Sequence, residues 1–75
     1  MEIRVKLMGM LKPKNPPGNK LQLPDGATID DVLTKLEIDP ERVQVYTING
    51  ALERNRSRVL AANDEFSALP PVGGG

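Results

Sequence analysis

Residues 20–36, which read KLQLPDGATIDDVLTKL, contain signals for a strand, a turn and a helix in direct succession. Leu21 and Leu23 alternate with polar residues, as in a half-buried strand. Pro24-Asp25-Gly26 then forms a strong turn signal. The helix that follows needs a sheet on which to bury its apolar stripe, so we expect a two-layer fold with one helix across one sheet.

The helix is predicted to begin after Thr28. Thr28 is a good N-cap, and Asp31 three residues later makes a carboxylate variant of the capping box. Apolar residues then recur at positions i, i+3, i+4 and i+7 and form one stripe, consisting of Ile29, Val32, Leu33 and Leu36. Asp39-Pro40-Glu41 is expected to end this element, because proline disfavours the helical conformation in the residue before it.

Residues 2–8 and 65–69 are predicted to be the first and last strands. Residues 2–8 alternate strictly between polar and apolar side chains. Residues 65–69 read EFSAL and stop at Pro70-Pro71. A right-handed crossover between these strands would place them side by side in the centre of the sheet. The C-terminus would then follow a rigid central strand.

The middle of the chain predicts a further strand and two connecting segments. Residues 43–48 read VQVYTI and precede Asn49-Gly50, the strongest two-residue turn signal of the chain. Their pattern does not decide whether the odd-numbered or the even-numbered side chains face the core. Residues 10–19 hold three prolines and are expected to be a loop. Residues 51–64 are expected to be a polar connector before the last strand.

Within this connector, Val59 and Leu60 are the expected apolar anchors. Arg54, Arg56 and Arg58 are spaced two residues apart. Such a run either steers an acidic partner or lies on an ordinary solvated face.

The composition excludes several classes of function. The chain has 75 residues, enough for one domain, and its 10 basic and 10 acidic side chains give a net charge of zero. This balance argues against a nucleic-acid or membrane-surface partner. The absence of Cys and His removes thiol nucleophiles, disulfides, Cys/His zinc sites and histidine triads. We therefore expect no bound metal. No apolar run approaches about 18 residues and no signal peptide is evident, so we expect a cytoplasmic location.

The C-terminus carries the chemistry that the rest of the chain lacks. We expect a domain over residues 1–70 and a flexible tail over residues 71–75. The final three glycines have no side chain to bury, and Pro70-Pro71 stiffens the base of the tail. A five-residue tail spans about 17 Å, enough to carry its terminal carboxylate through a narrow channel to a reactive phosphate. Adenylation would supply a leaving group, after which a sulfur nucleophile gives a thiocarboxylate and an amine gives an amide.

Four segments resemble the MoaD/ThiS family of ubiquitin-like sulfur carriers. Residues 23–36 are similar to its second-strand and helix motif, and Ile48-Asn49-Gly50 to its third-strand turn. Residues 60–66 resemble its Leu-x-x-Gly-Asp-Glu-apolar segment. In that segment Asn63 replaces the usual glycine, and asparagine tolerates positive φ better than most residues. Residues 69–75, LPPVGGG, are similar to the tail of molybdopterin-type carriers.

The resemblance implies an α+β, β-grasp fold with a four- to five-stranded mixed sheet and one main helix. It implies that Gly75 is adenylated by a ubiquitin-activating-type enzyme and then becomes a thiocarboxylate. The chain would not itself be an enzyme and would bind no cofactor, since the partner enzyme uses the ATP. The tail and partner-binding residues implied are Leu69, Pro70, Pro71, Val72, Gly73 and Gly74.

By analogy with ubiquitin-like tails, Phe66 and Ala68 would face the helix, and Tyr46 and Ile48 would face inward as well. Leu69 would lie on the opposite face of the sheet, where it either contacts a partner or is ordinarily half-buried.

The resemblance also suggests where the sulfur goes. Pro70-Pro71 favours a molybdopterin precursor for a molybdenum or tungsten cofactor, delivered through a sulfur-accepting synthase subunit. The triple glycine also occurs in thiamine-type carriers, so the thiazole of thiamine is the alternative acceptor. Conjugation of Gly75 to protein lysines, as in ubiquitin-like modifiers, is a further alternative.

Overall fold

The computed structural model describes residues 1–71. Its elements, in chain order, are β1 (Glu2–Leu7), β2 (Lys20–Gln22), α1 (Ile29–Lys35), β3 (Val45–Ile48), β4 (Ala51–Glu53) and β5 (Glu65–Leu69). The strands form one sheet in the order β2-β1-β5-β3-β4. This is the mixed sheet with one main helix that the sequence predicts.

The last strand lies at the centre of the sheet. β5 pairs in parallel with β1 and antiparallel with β3, while β2 and β4 pair antiparallel on the outside. The position of β5 beside β1 confirms that the first and last strands are side by side in the centre of the sheet. The tail therefore follows the middle strand of the five.

The core lies between α1 and one face of the sheet. Phe66 and Ala68 of β5 are fully buried, which confirms their predicted inward orientation. Tyr46 and Ile48 are buried too, so the even-numbered residues of β3 face the core. The rings of Tyr46 and Phe66 are 6.0 Å apart and tilted by 31°, a favourable aromatic arrangement.

Helix α1 begins with the predicted capping box. The Asp31 backbone N–H donates to Thr28 Oγ1 at 3.3 Å, and the Thr28 N–H donates to Asp31 Oδ2 at 2.8 Å. The helix ends at Lys35, before the predicted boundary at Asp39-Pro40-Glu41. Glu37 has a φ of +58°, and the Ile38 N–H donates to the Leu33 carbonyl at 2.9 Å, as in a Schellman motif. The sequence did not predict this helix end, because the left-handed position holds Glu37 and not the Gly that usually marks it.

Both connecting segments contain more structure than expected. Residues 10–19 lie largely in two short 3₁₀ helices, Gly9–Lys14 and Pro17–Asn19. The connector over residues 51–64 includes β4 and an isolated bridge between Thr28 and Val59. Leu60 is buried, but Val59 is 58% exposed, so its predicted role as an anchor was wrong. Successive residues of extended chain point to opposite sides, and only one of this pair can face the core.

Among the residues that the structure describes, no helix is long and apolar enough to span a membrane.

Candidate functional site

The base of the tail is held on both sides at the end of β5. The Met8 N–H donates to the Ala68 carbonyl at 3.1 Å, and the Gln44 N–H donates to the Leu69 carbonyl at 2.8 Å. Pro70 is half-buried and Pro71 is exposed. The chain therefore leaves the sheet from a point fixed by hydrogen bonds to the segments that flank β5.

Of the predicted site residues, the structure describes Leu69, Pro70 and Pro71, which are brought together in one continuous segment after β5. Val72, Gly73, Gly74 and Gly75 lie outside the described residues. The predicted flexible tail and the reactive carboxyl group of Gly75 therefore stay predictions.

An apolar strip runs across the face of the sheet opposite α1. Leu69 lies directly across from Val45, and Leu52 lies across from Thr47 on the same face. Leu52 is 55% exposed, whereas Leu69 and Val45 are half-buried. We call Val45, Leu52 and Leu69 the outer apolar strip. It places Leu69 on the predicted face, at the point where the tail begins.

A basic cluster, consisting of Arg4, Lys6 and Lys20, lies on the same outer face beside the strip. Arg4 faces Lys20 across β1 and β2, and Lys6 is beside Ser67 of β5. The three side chains line a groove of about 240 Å³. Within residues 1–71, Arg4 has one acidic neighbour, Glu65 at 3.9 Å, and Lys6 and Lys20 form no ion pair. Like charges directly opposite each other destabilise a sheet, so this cluster lowers stability locally.

Two of the three arginines in the run after β4 form ion pairs with acidic side chains of this protein. Arg56 lies 3.6 Å from Asp30, and Arg58 lies 3.4 Å from Glu53. Arg54 forms no ion pair with any described residue. The structure therefore favours a solvated face over a steering surface for this run.

Two of the sequence motifs are joined by a side-chain network that sequence reasoning missed. Asn49 Nδ2 donates to Asp64 Oδ1 at 2.9 Å, and the Glu65 N–H donates to Asn49 Oδ1 at 2.9 Å. Asp64 Oδ2 accepts the Ala61 N–H at 2.8 Å. Asn63 has a φ of +68°, as expected for a residue at a glycine position. The two polar turns thereby fix the start of β5, although their sequence separation gave no signal that they meet.

One buried polar group lies outside these networks. The Tyr46 hydroxyl is buried and has no hydrogen-bond partner among the described residues. Burial raises the pKa of this hydroxyl above its ordinary value near 10, while the Arg56 guanidinium opposes part of the effect and Asp30 adds to it. The described part of the chain also contains no group of three or more His, Cys, Asp or Glu side chains placed to hold a metal ion.

The fold and the tail base together define a class of protein. One helix across a five-stranded mixed sheet, with the C-terminal segment following the central strand, is the ubiquitin-like β-grasp arrangement. A family model described as the ThiS family matches residues 5–75, so the chain belongs to the ThiS family. Small proteins of this class are ubiquitin-like sulfur carriers or protein modifiers rather than enzymes, and they generally work with an activating enzyme.

Solved structures agree on the fold. The crystal structure of SAMP1 from Haloferax volcanii is similar with a TM-score of 0.74 and 21% identity over 100% of both chains. A crystal structure of H. volcanii small archaeal modifier protein 1 gives a TM-score of 0.71 and 20% identity over 95% of this chain and 98% of the other. A search of curated proteins found no match.

Proposed function

We propose that this protein is a sulfur carrier whose C-terminal Gly75 is adenylated and converted to a thiocarboxylate. The observation that carries the proposal is the position of the tail base. It lies at the end of the central strand β5, where the last two carbonyls are hydrogen-bonded on either side. The family match also extends to Gly75 and so includes the glycines.

The proposed chemistry needs no catalytic side chain on this protein. A Gly75 carboxylate oxygen attacks the α-phosphate of ATP, and pyrophosphate leaves. The resulting acyl-adenylate has AMP as leaving group, so a sulfide-equivalent nucleophile forms a carbon–sulfur bond while the bond to AMP breaks. What this chain contributes is a rigid base and a terminus of small residues that fits a narrow active site.

We assign the docking of the activating enzyme to the outer face of the sheet. The outer apolar strip has exposed apolar area beside the tail base, and the basic cluster lies next to it. Apolar area buried at the centre of an interface supplies affinity, whereas charges at its rim supply orientation and speed of encounter. This arrangement suits an apolar partner surface with acidic side chains at its edge.

The proposed sulfur acceptor is a molybdopterin precursor. Pro70-Pro71 supports this choice, because the segment over residues 69–75 resembles the tail of molybdopterin-type carriers. The thiazole precursor of thiamine is the alternative, which the triple glycine supports. A loaded carrier offered separately to a pterin-sulfurating synthase subunit and to a thiazole synthase would distinguish these acceptors.

The central test is loading of the full chain with its activating enzyme, ATP and a sulfur source. Intact-protein mass spectrometry is expected to show the replacement of one oxygen by sulfur. Removal of Gly74-Gly75 should abolish loading, and so should one alanine added after Gly75, which keeps every glycine but moves the carboxylate off Gly75. Arg54→Ala, with an intact tail, is the control. Loading that persists in the truncated chain would contradict the mechanism.

A second candidate function is supported by the H. volcanii structures, whose names describe a modifier protein. In this case a lysine amine attacks the same activated Gly75 and forms an amide. Covalent adducts in cell lysate that disappear when Gly75 is deleted would favour the modifier function. A thiocarboxylate without adducts would favour the carrier.

A further inference from the structure

The ring of Pro70, at the base of the tail, lies where a side chain on Gly9 would have to be placed. Gly9 follows the first strand and opens the 3₁₀ helix Gly9–Lys14. A Cβ atom placed on Gly9 would lie 2.8 Å from Cγ and 3.4 Å from Cδ of Pro70. Ordinary van der Waals contacts of a Cβ begin at 3.4 Å. Only a residue without a side chain lets the Pro70 ring occupy its observed place.

The other glycines at left-handed positions in the described chain lack such a neighbour. Gly18, Gly26 and Gly50 have positive φ angles, yet a Cβ on any of them would meet nothing within 4 Å. Gly9 has a φ of +56° and therefore combines the same backbone requirement with a steric one. Its contact is with the half-buried Pro70, the first residue after β5.

The contact completes the restraint on the tail base. Hydrogen bonds from Met8 and Gln44 fix the carbonyls of Ala68 and Leu69. Pro70 has no backbone N–H with which to continue this pattern. Packing of its ring against Gly9 is therefore what restrains the chain at its exit from the sheet.

We propose that Gly9 is a positioning residue, whose lack of a side chain makes room for the Pro70 ring and thereby sets the direction in which the chain leaves the sheet at Pro71. This inference rests on the proposed function, because direction matters only if the terminus must enter a partner's active site. A side chain at Gly9 must displace Pro70 by more than half an ångström to restore ordinary contact. Misplacement of a reacting group by about 1 Å can cost about 100-fold in rate.

The test compares four variants in adenylation by the activating enzyme: Gly9→Ala, Gly26→Ala, Pro70→Ala and the double variant Gly9→Ala/Pro70→Ala. Gly26→Ala is the matched control, because it adds a methyl group at a left-handed position that has no neighbour. Pro70→Ala removes the ring atoms with which a Cβ at Gly9 would clash. The measurements are kcat and KM for the carrier, with the melting temperature of every variant.

Gly9→Ala is expected to lower kcat by about tenfold or more while KM, which reports docking of the outer face, changes less than twofold. Gly26→Ala should leave both constants near those of the unaltered chain. In the Pro70→Ala background, the further effect of Gly9→Ala should shrink to within about twofold, as expected for residues that act through one contact. Pro70→Ala alone should lower kcat, because the ring that packs against Gly9 is absent. This variant tests the role of the Gly9–Pro70 packing even if Gly9→Ala does not fold.

The inference is overturned if Gly9→Ala behaves as Gly26→Ala does, if its loss is as large without the Pro70 ring, or if Pro70→Ala leaves kcat unchanged. Failure of the proposed function would look different, because the unaltered chain and Gly26→Ala would then not be adenylated at all.

Discussion

Asp64 is the residue on which the loop before β5 depends. Its two carboxylate oxygens accept hydrogen bonds from the Asn49 side chain and the Ala61 backbone, and it is nearly buried. Asn49 in turn accepts the N–H of Glu65 at the start of β5. One side chain thus links the β3–β4 turn to the strand that carries the tail.

Asp64→Ala is expected to lower the free energy of unfolding by about 2 kcal/mol, because it leaves a side-chain amide and a backbone N–H without their acceptor. Asp25→Ala is the control, since that side chain is 96% exposed and its loss should cost less than about 0.5 kcal/mol. Urea denaturation measures both. Equal losses in the two variants would contradict the role assigned to Asp64.

The second prediction at the residue scale concerns Tyr46. Burial raises the pKa of its hydroxyl in the folded protein, whereas in the unfolded chain this group ionises near pH 10. Above that pH the unfolded state binds fewer protons than the folded state, so the free energy of unfolding falls as pH rises. The contribution is fully present below pH 10 and is lost as pH rises through the folded-state pKa.

Tyr46→Phe is therefore expected to flatten the loss of stability above about pH 10, where the unfolded-state hydroxyl ionises first. At pH 7 it should be neutral or slightly stabilising, because the hydroxyl it removes has no partner among the described residues. Denaturation with urea across this pH range provides the measurement. An unchanged slope would show that other groups cause the alkaline loss.

At the scale of elements, α1 is too short to be stable alone. It has seven residues, and isolated helices shorter than about 12 residues are marginal in water. Its stability comes from the buried stripe, the capping box of Thr28 and Asp31, and the Schellman motif at Glu37. The ends of this helix therefore matter as much as its interior.

Thr28→Ala is expected to destabilise the protein by about 1 kcal/mol, the usual cost of losing an N-cap. Thr28→Ser, which retains the hydroxyl, should restore most of the loss. Thr34→Ala, on the exposed side of the same helix, controls for the effect of substitution as such. Thermal unfolding followed by circular dichroism would contradict the assignment if Thr28→Ala and Thr34→Ala gave the same shift.

The free edge of β2 is also protected at this scale. Lys35 Nζ of α1 donates to the Gln22 carbonyl at 2.7 Å, and the Lys20 N–H donates to the Pro17 carbonyl. Exposed strand edges invite pairing with other chains. These two hydrogen bonds occupy groups that an added strand would need.

At the scale of the whole molecule, the two faces of the sheet have different roles. α1 and the core cover the inner face, whereas the outer face carries the outer apolar strip and the basic cluster. Because β1 and β5 are parallel, Lys6 and Leu69 both lie toward the end of the sheet at which the tail starts. The residues assigned to partner docking thus extend along the outer face from Leu69 and Lys6, near the tail base, to Arg4 and Lys20, which lie beside the start of β5.

Reversal of charge in the basic cluster with Lys6→Glu/Lys20→Glu is expected to raise KM for the activating enzyme by about tenfold. The kcat value should change little, because the tail base is untouched. Lys12→Glu/Lys14→Glu makes the same net charge change in the 3₁₀ helix that opens at Gly9 and serves as the control.

Salt dependence provides an independent check. For the unaltered protein KM should rise with ionic strength, because salt screens exposed charges, and the cluster variant should lose most of this dependence. An equal rise in KM for both double variants would mean that net charge, and not the outer face, guides the encounter.

Sequence alone determined most of the local structure. Alternating apolar residues set the strands, Thr28 and Asp31 set the start of the helix, and Asn49-Gly50 set the β3–β4 turn, because each depends on neighbours in the chain. The LPPVGGG segment likewise led to the prediction of a functional tail, because its glycines have no side chains to contribute to a core. These features are readable because backbone sterics and side-chain periodicity act over a few residues.

Tertiary structure alone decided the features that depend on distant residues. Three such features bring together residues from separate segments. They are the Asn49–Asp64 network, the packing of Pro70 against Gly9, and the basic cluster of Arg4, Lys6 and Lys20. The exposure of Val59 was mispredicted for the same reason, because packing against distant partners decides which of two neighbouring residues is buried. The early end of α1 has a local cause, since Glu37 occupies the left-handed position at which a helix end usually has Gly.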